Sequence, residues 1–552
     1  MTKWRLAMML WVLATAACDG APNLPGAGLP RPPAEQILRA AIGAAPESLD
    51  PAKARLPQER ELSRLLWDPL LRPSPDLRDV DGAAAASYDV SPDGLTYTFH
   101  LRPGIVYGDR HPVVAGDFLY AWRRLIDPRL ASPSAYFFSR YIRRGQEVAA
   151  LGPVSDAAKI DAALETLGLS TPDDATFQVT LAQPCGCFKW VAALPAGAPL
   201  RADVVSREGA RWPSTPESLD SNGAFRLEAV DAGRSYTLAA NEFHLPAAPH
   251  LRRLVLSVSS GEDALNRYRR GDLDLVPITS SAAQQLATDR QLGRDVVHAG
   301  RLETDWIAFN SSRAPFDDGR VRLAIARALD RDAYVRSVLD GGGMADSTLV
   351  PSMVRGARRA LTATQGFSAR SARDTLNSAG AAADRLPAAK LLVRDTVNGR
   401  KTAAFVQKQL KDVLGVSIGF ETVASATDFD RRLRSGDYDL AGPISWQADY
   451  PDQQGWFDLF QSTSGDNLSQ WRRGNYDQLV QAAGATGEQG ARDELYAQAQ
   501  RLLLAEAPAA FMAHREAVVL RRGYVAGVVS TSYDDDELPG DLFSESIQIR
   551  HH

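Results

Sequence analysis

The segment Trp446-Gln447-Ala448-Asp449-Tyr450-Pro451-Asp452 places one carboxylate, Asp449, between aromatic rings. A carboxylate partly withdrawn from water pairs strongly with an ammonium group through charge-assisted hydrogen bonds. The arrangement therefore suits a ligand that carries one ammonium on an otherwise variable body. Acids ahead of proline are also common at turns, so the same residues fit a plain strand-to-turn junction in which Asp449 caps the next turn. The surrounding sequence decides between the two.

Other chemistry-bearing patterns lead away from catalysis. Gly415-Val416-Ser417-Ile418-Gly419 has the G-x-S-x-G spacing, but a nucleophile elbow needs a strand, a sharp turn and then a helix. Here a helical pattern comes first and an apolar strand follows, so Ser417 is not read as a nucleophile. The eight His are scattered, His244 and His250 lack metal-site spacing, and there is no H-E-x-x-H and no P-loop. No metal or cofactor is expected, and any ATP hydrolysis belongs to a partner chain. Cys185-Gly186-Cys187 is read as a structural pair, reduced or bridged in a small ring whose geometry is narrow. Asp534-Asp535-Asp536-Glu537 reads as a solvated loop, with calcium binding the alternative, and His551-His552 as native or a tag remnant.

The elements that must position Asp449 mix strand and helix periodicity. Strands are expected at 39–42, 95–101, 176–181, 253–258, 306–310 and 518–520. Ser91-Pro92-Asp93-Gly94 turns a hairpin within 88–101. Helices are expected at 60–71, 116–125, 262–270, 318–329 and 494–506. Lys390 to Val393, Thr402 to Leu414 and Val416 to Glu421 read as strand, helix, strand, a unit that implies a partly parallel sheet. The body is α/β and shows no internal repeats.

Residues 1–17 read as a secretory signal, with Lys3 and Arg5 ahead of a short apolar core. Thr15-Ala16-Ala17-Cys18 resembles a lipobox, in which Cys18 becomes the lipidated first residue, and Asp19 resembles an inner-membrane retention signal in Gram-negative lipoproteins. Residues 18–36 form a Pro-rich tether. Losing Lys3 and Arg5 takes the formal net charge from −5 to −7, against the basic footprint that nucleic-acid binding needs. A hydrophobic share of 45% with 23% charged residues is that of a globular body.

Several stretches then resemble one family in order along the chain. They include Pro46 to Pro51, Asp93 to Arg102, Ala115 to Pro128, Ser221 to Phe225, Arg269 to Asp274, Pro315 to Asp318, Val321 to Arg331 and Trp446 to Asp452. They are similar to the oligopeptide-binding type of bacterial family 5 extracytoplasmic solute-binding proteins, which serve peptide ABC importers. The resemblance implies a two-lobed periplasmic-binding-protein clamshell (type II, cluster C) with an extra subdomain. Its first lobe would be 37–71, 216–307 and 511–552, the extra subdomain 72–215 and the second lobe 308–510. It also implies capture of a peptide between the lobes, a permease and an ATPase as partners, membrane attachment through the lipid, and a monomer. Asp449 would hold the peptide ammonium, Ser445, Trp446, Gln447 and Ala448 would supply backbone pairing or a pocket wall, and Ala44 to Glu47, including Pro46 and Glu47, an edge from the other lobe. The family's oligopeptide receptors carry a Cys at Gln447 bridged to one near Glu303, an Arg at Pro443, and a pocket Trp near Ala426. All three are missing here, which bears on peptide length and on handling of the peptide's far end. Alternatives on the same fold are a dipeptide, a cell-wall peptide, a nickel chelate, haem, a sugar, or a peptide-sensing receptor.

Overall fold

The computed structural model describes residues 35–357, 359–533 and 538–551. The signal, Cys18, Asp19, most of the tether, the acidic run 534–537 and His552 lie outside these.

One 11-stranded mixed sheet runs through the molecule. Strand Ile37–Ile42 pairs in parallel with Arg253–Val258, which is followed outward by Ser235–Ala240 and Phe225–Asp231. Strand Leu275–Ile278 links this group to the long strand Ala509–Arg521. Ala509–Arg521 lies antiparallel to a similarly long neighbour, Val296–Phe309, and beyond it come Leu440–Gln447, Lys390–Arg394 and Gly419–Val423. The two long strands thus belong to both halves. Their ladder shifts register between Gly300 and Thr304 and again between Asp305 and Trp306. The regular pairing is interrupted there, and this crossing between the two halves, termed the hinge, is where the long strands pass from one to the other.

Period-two alternation fills both faces of the sheet. Ile307 and Phe309 pack with Val321, Ile325 and Phe405 on one face, while Trp306 and Ala308 pack with Phe457, Tyr476 and Phe511 on the other. Strands covered on both sides read as unbroken apolar runs, which is why 306–310 is visible in sequence. The expected strand–helix–strand unit is present as Lys390–Arg394, Val397–Leu414 and Gly419–Val423, with the two strands parallel. A separate four-stranded antiparallel sheet, Ala85–Val90, Thr96–Leu101, Thr176–Thr180 and Leu169–Asp173, forms an inserted body. The helix Ala115–Ile126 covers it, with Trp122 edge-on to Phe177 at 5.1 Å.

Some elements differ from expectation. The helix expected over 60–71 spans Pro57–Leu66, and Leu71–Pro73 is a strand. Pro69 pushes its predecessor out of helical geometry, and Trp67 is already extended (φ −132°, ψ 129°). The strands expected at 306–310 and 518–520 are ends of the two long strands, whose middles carry polar residues such as Arg301, Glu303 and His514. The strand expected at 416–421 begins only at Gly419. Exposed Ser417 therefore sits in the turn after helix Val397–Leu414, the reverse of the elbow order.

Candidate ligand site between the lobes

Strand Leu440–Gln447 carries the site. It pairs along one edge with Val296–Phe309, setting Ser445 opposite Asp305, Trp446 opposite Thr304 and Gln447 opposite Glu303. Along the other edge it pairs only at Leu440 and Ala441, so no strand among the described residues covers that edge at Ser445–Gln447. The Ala448 N–H then donates to the Leu302 carbonyl at 2.8 Å, tying the departure of the chain to the hinge. Asp449 is the next residue.

Asp449 stands where two cavities meet. One, of about 290 Å³, is lined by Pro51, Ser63, Arg64, Leu194, Gln447 and Tyr533 among others. The other, of about 490 Å³, lies between Tyr136–Tyr141 of the inserted body and Trp446–Asp466. Phe137, Ala448 and Asp449 line both. Asp449 is exposed, which corrects the expectation of a carboxylate already partly withdrawn from water: both cavities open to solvent, so a ligand has to supply the desolvation.

The second acid of the motif does other work. Asp452 is buried and holds Arg492 in a bidentate pair, Nη2 to Oδ1 at 2.7 Å, while Oδ1 also accepts the Gln454 N–H at 2.9 Å. Burial pushes this carboxyl up, and the charge and hydrogen bonds of Arg492 outweigh it and hold it below the ordinary range. Tyr450 is buried too, with Phe137 edge-on at 6.2 Å. Asp449 thus rides on a segment fixed on both sides.

The remaining expected residues divide. Trp446 is half-buried, donates from Nε1 to the Gly455 carbonyl at 3.1 Å, and walls the larger cavity. Gln447 walls the smaller one, and its Oε1 accepts from Arg301 at 3.0 Å. Ser445 lines neither; its hydroxyl donates to Asp305 Oδ1 at 2.6 Å and contacts Glu303. Pro46 and Glu47 also line neither cavity. Proline has no N–H, and the Glu47 N–H donates to the buried Glu59 carboxylate at 2.8 Å. The same carboxylate takes the N–H groups of Ser48, Arg55 and Leu56, so it freezes this loop and consumes the Glu47 donor. The residues that sequence reasoning missed are Tyr136, Phe137, Arg140 and Tyr141, contributed from more than 300 positions away. The aromatic run Tyr136-Phe137-Phe138 was their only signal.

Cys185 and Cys187 form a disulfide, one of the two states the sequence left open. The Gly186 N–H donates to the Gly484 carbonyl at 3.3 Å, docking this ring on the far half of the molecule. His244 bridges Asp68 Oδ2 (2.8 Å) and the Ala247 carbonyl (2.7 Å). Among the described residues no group of three or more metal-binding side chains gathers, and no helix is long and apolar enough to cross a membrane.

At the hinge, buried Asp305 faces Ser445, Glu303, Tyr334 and Arg515, whose guanidinium is 3.5 Å away. Burial raises its carboxyl to about 6, with Arg515 and Ser445 opposing. An acid whose folded value lies above its unfolded value stabilises the fold most at low pH, and that contribution is lost as pH rises through the folded value. The window here is about pH 4 to 6. The unfolding free energy from urea titration should therefore fall for the natural protein relative to Asp305→Asn on going from pH 4 to pH 7, by on the order of 2 kcal/mol. Parallel pH slopes for the two proteins would remove Asp305 as the cause.

Two lobes, joined by a pair of shared strands and meeting at a cleft with one carboxylate between two cavities, define a solute-binding clamshell. Residues 79–467, more than half of the chain, match the bacterial extracellular solute-binding proteins, family 5 (middle region), and the chain belongs to that family. It is 29% identical to the probable deoxycholate-binding periplasmic protein YgiS of Escherichia coli K12 over 99% of both chains. It is also 29% identical to the periplasmic oligopeptide-binding protein OppA of Salmonella typhimurium LT2 over 90% of both. Among solved structures, the unliganded open form of MppA, a periplasmic murein tripeptide binding protein, matches with a TM-score of 0.84 and 25% identity. That match covers 96% of this chain and 99% of the other.

Proposed function

We propose that this protein is the extracytoplasmic receptor of an ABC importer and that it captures oligopeptides by their free amino end. The observation that carries this reading is the position of Asp449, an exposed carboxylate shared by two cavities beside the uncovered edge of Ser445–Gln447. An edge of this kind pairs with any peptide backbone, whatever its side chains, and a carboxylate at its end fixes the register by holding the ammonium. Pairing to the peptide falls to Ser445–Gln447, with Trp446 and Gln447 as walls. The family's place outside the cytoplasm agrees with the signal-like start, and Cys18 would attach the chain to the membrane by lipid. Its first lobe is 37–71, 216–307 and 511–552 and its second 308–510, with 72–215 as the inserted subdomain, and the receptor acts as a monomer handing ligand to a permease and its ATPase.

YgiS suggests a second ligand class. A bile acid, however, carries a carboxylate and no ammonium, so it would meet Asp449 with like charge. Native mass spectrometry separates the two. The purified protein is offered an equimolar set of free-amine tripeptides, their N-acetylated forms and deoxycholate. Masses of protein plus free-amine tripeptides are the expected result. Binding of deoxycholate alone, or of acetylated and free peptides alike, would overturn the ammonium reading.

A further inference from the structure

We infer that the ligand residue whose ammonium meets Asp449 carries an aromatic or large apolar side chain, and that the larger cavity beside Trp446 receives it. The inference rests on the peptide reading above and concerns the same site. An α-ammonium held at Asp449 leaves two groups to be housed, the continuing chain and the first side chain. Two cavities meet at that carboxylate. The smaller reaches across to Arg60, Ser63 and Arg64 of helix Pro57–Leu66, so it tracks the cleft along which a chain must run. The larger is a side chamber between the inserted body and the second lobe.

Five of the residues lining the chamber are aromatic, Tyr136, Phe137, Tyr141, Trp446 and Tyr450, while Gln461, Thr463 and Ser464 give it a polar side. Four of its charged side chains, Arg140, Arg434, Asp458 and Asp466, are paired within the wall. Arg140 is 2.8 Å from Asp458, donates to the Tyr136 hydroxyl at 2.8 Å, and lies over the rings of Tyr136 and Tyr141 at 5.7 and 5.4 Å. Asp458 takes a further bond from Gln454. Arg434 is held by Asp430 (2.9 Å), Asp466 (3.0 Å) and the Gly465 carbonyl (2.9 Å). A charged ligand side chain would enter this space, shed water and meet no spare countercharge, which is costly. A ring would instead cover apolar surface and stack edge or face on its neighbours. Tyr136 marks where that cover is missing. Its hydroxyl is bonded, yet the residue is 57% exposed at the lip of the chamber.

The test is calorimetric titration of the purified full chain with Trp-Ala-Ala, Phe-Ala-Ala, Ala-Ala-Ala, Asp-Ala-Ala, Lys-Ala-Ala and N-acetyl-Phe-Ala-Ala. Aromatic-first peptides should bind at least about tenfold more tightly than Ala-Ala-Ala, with Asp-Ala-Ala and Lys-Ala-Ala weakest. Tyr136→Ala should narrow the ratio of Phe-Ala-Ala to Ala-Ala-Ala to about threefold or less. Equal affinity for every free-amine peptide, with the acetylated one rejected, would overturn the inference and leave the peptide reading standing. Failure of all free-amine peptides to bind would overturn both.

Discussion

Asp449→Asn should weaken binding of a free-amine tripeptide by about 30-fold or more, and leave the N-acetylated peptide at the weak affinity it has for the natural protein. The size comes from removing one partner of a charge pair that the closed site desolvates, which costs roughly 2–5 kcal/mol. Asn keeps the shape and one acceptor oxygen, and it replaces the charge and the second acceptor by an amide NH2 that cannot accept from an ammonium. No neighbouring acid can take over. Asp452 is buried and committed to Arg492, Asp458 is matched by Arg140, and Asp466 by Arg434. The position is exposed, so the change should spare the fold, and an unchanged melting temperature serves as the control. Calorimetry on the free and acetylated forms of one tripeptide is the measurement. Equal losses for both would make Asp449 part of the wall and remove it as the ammonium site.

Much of this site was legible because it lies in one short run of sequence. Trp446, Gln447, Ala448 and Asp449 do gather at the cavities. The register that sets Glu303 opposite Gln447 is also the one implied by the disulfide of the family's oligopeptide receptors. Here Arg301 spans the two instead, contacting Glu303 and donating to Gln447. The strands buried on both faces were legible for the same reason, since burial writes a continuous apolar run. The hinge was not. In its strands Arg301, Glu303, Asp305 and His514 interrupt the apolar pattern that a strand shows elsewhere. Nor could spacing reveal Glu59, a buried acid that gathers four backbone donors and withdraws Glu47 from the expected edge. The chamber beside Asp449 depends on Phe137 reaching Tyr450 and Arg140 reaching Asp458. Such contacts are made by topology, and no local periodicity carries them.

Arg492→Met should destabilise the protein by about 3–5 kcal/mol, since it leaves the Asp452 carboxylate buried without its partner. Arg492 is 1% exposed. Besides the bidentate pair, its Nε donates to the Ala483 carbonyl at 3.2 Å, and its guanidinium lies 5.2 Å from the centre of the Tyr496 ring. The pH dependence identifies the cause. In the natural protein Arg492 holds the Asp452 carboxyl low, so this contribution to stability is present above the ordinary carboxylate value and is lost as pH falls through the depressed one. In the variant burial, the largest influence, is opposed only by the Gln454 N–H and the charge of Lys189, and the carboxyl rises. Asp452 then takes a proton in mild acid, and the gap between the two proteins should shrink from pH 7 to pH 4. Adding Asp452→Leu should recover much of the loss, because two apolar side chains of similar volume leave no uncompensated charge. Urea midpoints of the natural protein, the single variant and the double variant at both pH values decide it. A double variant as unstable as the single one would mean that Arg492 acts chiefly through Ala483 and Tyr496. Recovery would make the pair the anchor of the turn that presents Asp449. The single variant should then also bind tripeptide more weakly, since Asp449 lies only three residues from the unpaired acid and a displaced carboxylate loses both its charge-assisted bond and the register it sets.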